Sequence, residues 1–335
     1  MWGVKDGKQV RRMETKADVL SLAASKDGKW IAAGTSSGMF VWDAETYEGV
    51  IKRGEGNYVL GVDFSPDSTR LVAATSNGTA IVWDLASGKQ VQTLPHSDEG
   101  WVRAAKYSPR GDRIATSTCG GPVRVWDSND GRWIVDIKVP VTLYFNTGLL
   151  WSNDHLFVVS DEKIKELDAS TGLELSEWPV PDTNDLSSIA LPNHEGFIAS
   201  SAIRTITYWD TSTHDQLPVT LQYPEDIHSI AFSPDDRILA IGGGEGKITL
   251  SPVSTVSCWV ISSLNSFLAP AFSPSVSPTS YSPRTRHSNR RHCIRLVEAR
   301  SARKRRSVID CVDQPVAESE PLCTRQSSSR SHSFA

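Results

Sequence analysis

The sequence predicts an all-β protein built from one four-stranded unit repeated along most of its length. Three observations predict it. A hydrophobic-Trp-Asp step recurs as Val41-Trp42-Asp43, Val82-Trp83-Asp84, Val125-Trp126-Asp127 and Tyr208-Trp209-Asp210. Glu166-Leu167-Asp168 is a degenerate copy and Leu250-Ser251-Pro252 ends the series, so the Trp-equivalent positions from Trp2 on are 2, 42, 83, 126, 167, 209 and 251. A second landmark repeats in phase: Phe64-Ser-Pro-Asp, Tyr107-Ser-Pro-Arg and Phe232-Ser-Pro-Asp each precede a short apolar run. Chance does not hold such a period over some 250 residues.

Within each unit the elements follow in order. The first strand alternates, as in Val59-x-x-Val62-x-Phe64, and stops at the Ser-Pro-Asp turn. The second is small and apolar, as in Leu71-Val-Ala-Ala. A Gly-containing turn leads to the third, Ala80-Ile-Val-Trp-Asp, and the fourth follows a Ser/Thr-Gly turn, as in Gly88-Lys-Gln-Val-Gln-Thr-Leu. Strands of this length with turn residues between them mean all-β structure.

On these motifs the chain resembles the WD-repeat family of β-propellers over residues 1–252. The resemblance implies four-stranded blades around a channel, with the repeated Trp42-Asp43, Trp83-Asp84, Trp126-Asp127 and Trp209-Asp210 packing one blade on the next. It implies six recognisable blades plus a partial seventh. Residues 1–14 would supply a closing outer strand at 8–14, residues 253–275 an incomplete seventh blade whose innermost strand is Ser266–Pro274, and residues 276–335 a disordered tail. The sequence departs from the family in its polar network. The Gly-His pair is largely absent, Pro95-His96 coming two residues too early, and Ser37, Asn77, Gly120 and Glu245 replace the turn Asp. The His–Ser/Thr–Trp–Asp network is therefore expected to be missing in most blades. Trp30, Trp133 and Trp178 are expected to pack structurally.

Charge is divided unevenly. Residues 253–335 hold 12 Lys and Arg against 5 Asp and Glu, which leaves residues 1–252 with 23 against 34. The acidic body argues against nucleic acid as a partner except through the basic tail. In that tail Arg303, Lys304, Arg305 and Arg306 resemble a nuclear-import cluster; a solvated basic tail and a shifted reading frame are the bland readings. No run of 18 or more apolar residues is present, so no membrane partner is expected. No signal-type N-terminus and no disulfide framework is present, and a cytoplasmic location is expected.

Catalytic motifs are explained by the repeat. Gly34-Thr-Ser-Ser-Gly38 and Gly242-Gly-Gly-Glu-Gly-Lys247 both fall on inter-strand turns, not strand-to-helix turns. The body histidines share no metal-ligand spacing. Neither enzyme activity nor a cofactor or metal is expected.

Function is expected at a rim. With the Phe of Phe-Ser-Pro as position 0, position −5 is apolar and −6 and −4 face the other way, near the channel mouth. Position −6 reads Asp18, Tyr58, Trp101, Phe145, Asp185 and Asp226, three aromatics and three acids. Position −4 includes Arg103 and His228. The expected partner is another protein, presenting a peptide or loop with apolar and basic residues. The expected role is a non-catalytic interaction scaffold. The alternatives are a ubiquitin-ligase substrate adaptor and a propeller fragment of a larger signalling protein. The Arg that such adaptors carry two residues after Trp-Asp is here Glu45, Ala86, Asn129 or Ser212.

Overall fold

A computed structural model describes residues 1, 10–53, 56–96, 100–118, 121–139, 148–160, 163–180, 186–193, 196–244 and 247–253. Its 23 strands form six antiparallel sheets. Blade 1 holds β1 (Val19–Ala24), β2 (Trp30–Thr35), β3 (Gly38–Asp43) and β4 (Gly49–Arg53). Blade 2 holds β5 (Val59–Phe64), β6 (Arg70–Thr75), β7 (Thr79–Asp84) and β8 (Lys89–Pro95). Blade 3 holds β9 (Val102–Tyr107), β10 (Arg113–Thr118), β11 (Val123–Asp127) and β12 (Trp133–Ile137). Blade 4 holds β13 (Leu149–Ser152), β14 (His155–Ser160), β15 (Lys163–Asp168) and β16 (Glu174–Pro179). Blade 5 holds β17 (Leu186–Ala190), β18 (Phe197–Ala202), β19 (Thr205–Asp210) and β20 (Gln216–Gln222). Blade 6 holds β21 (Ile227–Phe232), β22 (Ile238–Gly243) and β23 (Ile248–Pro252). Each sheet is ordered as its sequence, and the innermost strands touch in succession from β1 to β21. These are the six recognisable blades of the all-β propeller that the repeat predicts.

The turn chemistry is repeated almost atom for atom. After the innermost strand, the Ser hydroxyl of Ser-Pro-Asp donates to the Asp, Ser65 Oγ to Asp67 Oδ1 at 2.6 Å. The same Ser Oγ accepts the N–H that opens the second strand, from Arg70 at 2.9 Å. Ser25, Ser108 and Ser233 do the same work in blades 1, 3 and 6. The Asp of Trp-Asp caps the next turn. Asp43 accepts from the N–H of Glu45 and Thr46, Asp84 from Ser87, Asp127 from Asn129 and Asp210 from Ser212.

Packing is sheet against sheet. Leu71, Ala73 and Trp83 of blade 2 turn toward blade 1, while Val72, Ala74, Val82 and Leu94 turn toward blade 3. Trp126 and Trp209 likewise lie in the seam with the preceding blade, and Leu167 takes that role in blade 4. Trp42 is buried against Met1, Ile31 and Ala33. Trp178 is buried between blades 4 and 5. Trp133 departs from expectation. It lies on the outermost strand with its ring 54% exposed, because no further sheet covers that strand, and the Arg124 guanidinium stands 5.7 Å from the ring.

Blade 3 is an exception to the polar network's expected loss from most blades. His96 is fully buried, and its Nε2 lies 2.6 Å from Thr116 Oγ1. Trp126 Nε1 donates to the same oxygen at 2.7 Å. The position of His96 in sequence, two residues early, does not prevent this contact. In blade 5 Ser200 Oγ accepts from Trp209 Nε1 at 2.9 Å without a histidine.

Blade 4 holds a polar seam that the repeat does not announce. Glu166 occupies the site that is Val41, Val82, Val125 or Tyr208 elsewhere, and is only 9% exposed. Its Oε1 faces His155 Nδ1 at 2.5 Å, and its Oε2 accepts from Ser176 Oγ at 2.6 Å with His214 Nε2 3.5 Å away. His214 belongs to blade 5 and stacks on Trp178 of blade 4 at 4.6 Å. It does so from a left-handed backbone (φ 64°) where blades 2, 3 and 4 carry Gly88, Gly131 and Gly172. Removing the carboxylate strands three polar partners. Glu166→Ala is expected to cost about 1–3 kcal/mol in urea unfolding, more than His214→Gly, which keeps two of the three contacts.

The closing strand expected at 8–14 is not present at 10–14, where no strand forms; Val10 and Arg11 N–H groups donate to the Met1 carbonyl instead. Residues 8 and 9, the seventh-blade segment beyond Val253, and the tail with Arg303–Arg306 lie outside the described residues.

Candidate interaction surface

Asp18, Tyr58 and Asp226 each sit one position before an innermost strand and are tied to the turn between strands two and three of their own blade. Ser36 N–H donates to the Asp18 carbonyl at 3.0 Å, Ser76 N–H to that of Tyr58 at 2.9 Å and Gly244 N–H to that of Asp226 at 2.9 Å. Asp18 and Tyr58 N–H groups return bonds to Ser36 Oγ and Ser76 Oγ. The backbone of this rim position is therefore fixed while its side chain stays outside. Position −5 is buried at Val59, Val102 and Ile227, as the alternation requires. Position −4 is the extra residue of a β-bulge: pairing skips Leu20, Leu60, Arg103 and His228. A bulge bends the strand and re-aims that side chain.

Blades 2 and 3 place their rim residues together. Tyr58 and Trp101 are each 44% exposed, with ring centroids 5.8 Å apart and planes tilted by 31°. The guanidinium of Arg103 lies 5.0 Å from the Trp101 centroid, within cation–π range. The three side chains form one platform. Below it, the Asp63 carboxylate bridges the same two blades by accepting the Tyr107 N–H at 2.8 Å, with Lys106 Nζ 3.6 Å away. Burial raises the pKa of Asp63, and Lys106 opposes that rise.

The acidic arc is smaller than its sequence. Asp18 is exposed. Asp226 is exposed too, but Arg204 Nε donates to its Oδ1 at 2.9 Å, so its charge is met within the protein. His228 is exposed on β21. Phe145 and Asp185 lie outside the described residues. Sequence reasoning found the aromatics through register alone. It missed Arg204, which stands in the neighbouring blade's turn at no repeat position that the motif marks.

Comparison with known proteins agrees with this architecture. The family model for the WD domain, G-beta repeat, matches residues 7–43, 49–84 and 88–127. Residues 7–127 of this chain thus carry WD repeats. The three matched segments end at Asp43, Asp84 and Asp127, and blades 4 to 6 continue the same unit to Pro252. A stretch of 76 residues is 33% identical to mouse WD repeat-containing protein 1, covering 21% of this chain and 12% of that protein. WD-repeat propellers commonly serve as protein-interaction scaffolds and are typically non-catalytic, their rims carrying the contacts.

Proposed function

We propose that this WD-repeat protein is a non-catalytic scaffold whose Tyr58–Trp101–Arg103 platform docks a peptide or loop of another protein. The observation that carries the reading is the juxtaposition of two exposed rings from successive blades, with a guanidinium against the second. Tyr, Trp and Arg dominate the energetics of protein interfaces, because they present a large apolar area with few rotatable bonds and a polar edge. An apolar partner side chain rests on the two rings. A basic partner residue is favoured toward Asp18, whose exposed carboxylate stands at the same rim position of the adjoining blade.

The test is a Tyr58→Ala/Trp101→Ala double variant, used as bait beside the unsubstituted chain. Both residues are rim-exposed, so its unfolding midpoint is expected to stay within about 1 kcal/mol of the original. Partners retained by the original chain are expected to be lost at least about tenfold, the equivalent of about 1.4 kcal/mol. A correctly folded double variant that retains every partner would overturn the assignment. Asp18→Asn is expected to weaken binding less, and chiefly at low salt, since it removes one exposed charge.

A further inference from the structure

Blades 1 to 4 share an irregularity on their outermost strands. Pairing with the third strand skips one residue in each, leaving Val50, Val91, Ile134 and Leu175 in a bulge. A bulge re-aims its side chain. All four are apolar, yet each is 38% exposed or more. In blade 5 the residue at the same distance after the Trp is Leu217, which is buried. Trp133, exposed on β12, stands directly before Ile134, and exposed Leu173 stands two residues before Leu175. Apart from Leu22 and the Tyr58–Trp101 pair, every exposed large apolar side chain described in blades 1 to 4 lies within two residues of such a bulge. Single exposed apolar residues are ordinary on a protein surface, but a row in phase with the repeat is not.

These outermost strands are neighbours in space. The turn that enters each one leans on the outermost strand of the blade before it. A Cβ on Gly88 would stand 3.7 Å from Ile51, one on Gly131 3.3 Å from Leu94, and one on Gly172 3.2 Å from Val135. Gln92 Nε2 donates to the Ser128 carbonyl at 3.0 Å across the second of these seams. Charge then divides the row. Residues 49–53, 89–95 and 132–138 hold five Lys and Arg against one acid, in a body that holds 23 against 34. That acid, Asp136, lies 3.6 Å from Arg124, whose guanidinium also stands against Trp133. Lys52, Lys89, Arg132 and Lys138 are exposed, and the last three meet no carboxylate among the described residues. Glu48 stands at the margin, on the turn that enters β4. In blade 4 the cations are met within the strand pair, Lys163 by Glu177 and Lys165 by Glu174, so the basic part of the row ends at blade 3.

We propose that the outer edge of blades 1 to 3 is a second docking surface, separate from the rim platform, and that it takes an acidic protein segment carrying large apolar side chains. Trp133 and Ile134 anchor the apolar residues, with Val91 and Val50 continuing the row on the neighbouring edges. Lys89 and Arg132 meet the carboxylates. Charge complementarity picks this occupant out, because a basic segment would be repelled here while the acidic remainder of the body would welcome it. The bulges also decide how the segment is read. They interrupt the regular edge that an added strand needs, so recognition falls to side chains and not to an extended ladder. A flat anionic bilayer shares the charge, but the row follows the edges of successive blades around a propeller. A plane reaches one edge where a chain follows three.

The test pans a random-sequence peptide display library on the full chain and on two variants, Trp133→Ser/Ile134→Ser and Tyr58→Ala/Trp101→Ala. The expected result is a class of peptides that the first variant loses and the second keeps, enriched in Asp and Glu together with Leu, Ile or Phe. Synthetic copies, followed by fluorescence anisotropy, are expected to bind at least about tenfold more weakly to Trp133→Ser/Ile134→Ser and to Lys89→Glu/Arg132→Glu. Added salt is expected to weaken them further. The absence of a class that depends on Trp133, or one without acidic enrichment, overturns the proposal. If the serine variant fails to fold, Lys89→Glu/Arg132→Glu decides, since it alters only exposed charges; acidic peptides that bind it unchanged overturn the proposal. Loss of the same peptides from Tyr58→Ala/Trp101→Ala also overturns it and returns them to the rim platform. Where no such class exists but phosphatidylserine vesicles sediment the chain and not the serine variant, the edge belongs to a membrane and the proposal falls.

Discussion

Trp126→Ala is expected to lower the unfolding free energy by about 3–5 kcal/mol, the largest loss among single substitutions of the repeat Trp residues. Three contributions coincide at this ring. It is 4% exposed and packs in the seam formed by Val82, Val102 and Ala105. Its Nε1 donates to Thr116 Oγ1 at 2.7 Å. Its edge meets the His96 ring at 5.7 Å and 61°. Alanine opens a cavity in a close-packed seam and leaves a buried hydroxyl short of its donor. Trp126→Phe separates the two effects. Phenylalanine retains much of the apolar area but no N–H, so it is expected to cost about 1–3 kcal/mol. Equilibrium unfolding in urea measures both. A loss below about 1 kcal/mol for the alanine variant would mean that the seam collapses around the gap, against the rigidity argued for it.

The second large effect is acid lability centred on His96. Burial pushes its pKa down to about 4 from an ordinary 6.5, with the Arg124 charge adding to the fall. The folded protein therefore holds the ring neutral, while the unfolded chain takes up a proton as soon as pH drops below 6.5. The unfolded state binds more protons in that window, so stability falls with pH. It is complete above 6.5 and is lost progressively down to about 4. At about pH 5 the loss from this one group is about 2 kcal/mol relative to about pH 7.5. His96→Gln is expected to be less stable at neutral pH yet to show a flatter profile across that window. Carboxylates add a separate loss at lower pH. The Ser65 hydroxyl holds Asp67, the Ser87 hydroxyl holds Asp84 and the Thr171 N–H holds Asp168 below the ordinary 3.8, and these bonds break only when the acids protonate. A His96→Gln profile as steep as the original between about pH 6.5 and 5 would remove His96 as the cause.

Much of the fold was legible because blade structure is written in short local signals. Ser-Pro-Asp marks a turn whose hydroxyl and carboxylate satisfy specific N–H groups, and Trp-Asp marks a buried ring followed by a capped turn. Those signals act within a few residues, so linear sequence shows them. Leu167 is legible even where its Trp is gone, since spacing alone places it in the seam. What sequence obscured was contact between repeats. Glu166 and His155 lie on neighbouring strands of blade 4 and His214 in a turn of blade 5, and nothing in their spacing marks them as one cluster. His96 was misjudged for a related reason. A loop can shift a ring along the chain without moving it in space, so a two-residue offset from the motif did not prevent the contact with Thr116. At the rim, register identified Tyr58 and Trp101, but only the bulge at Arg103 explains why its guanidinium folds back over Trp101.

The matched segments 49–84 and 88–127 do not coincide with the sheets. Each begins on the outermost strand of one blade, β4 or β8, and ends on the third strand of the next, β7 or β11. The covalent module and the folded module are thus out of phase by one strand. Excising residues 59–95 would remove a whole sheet; excising 44–84 would remove one repeat and let β8 inherit the place of β4. The second cut leaves the first sheet with four strands and every later sheet untouched, so the unit that can be duplicated, lost or grafted is the repeat. The offset also staples each sheet to its neighbour through the peptide chain itself, and makes partial fraying of one blade a disturbance of two.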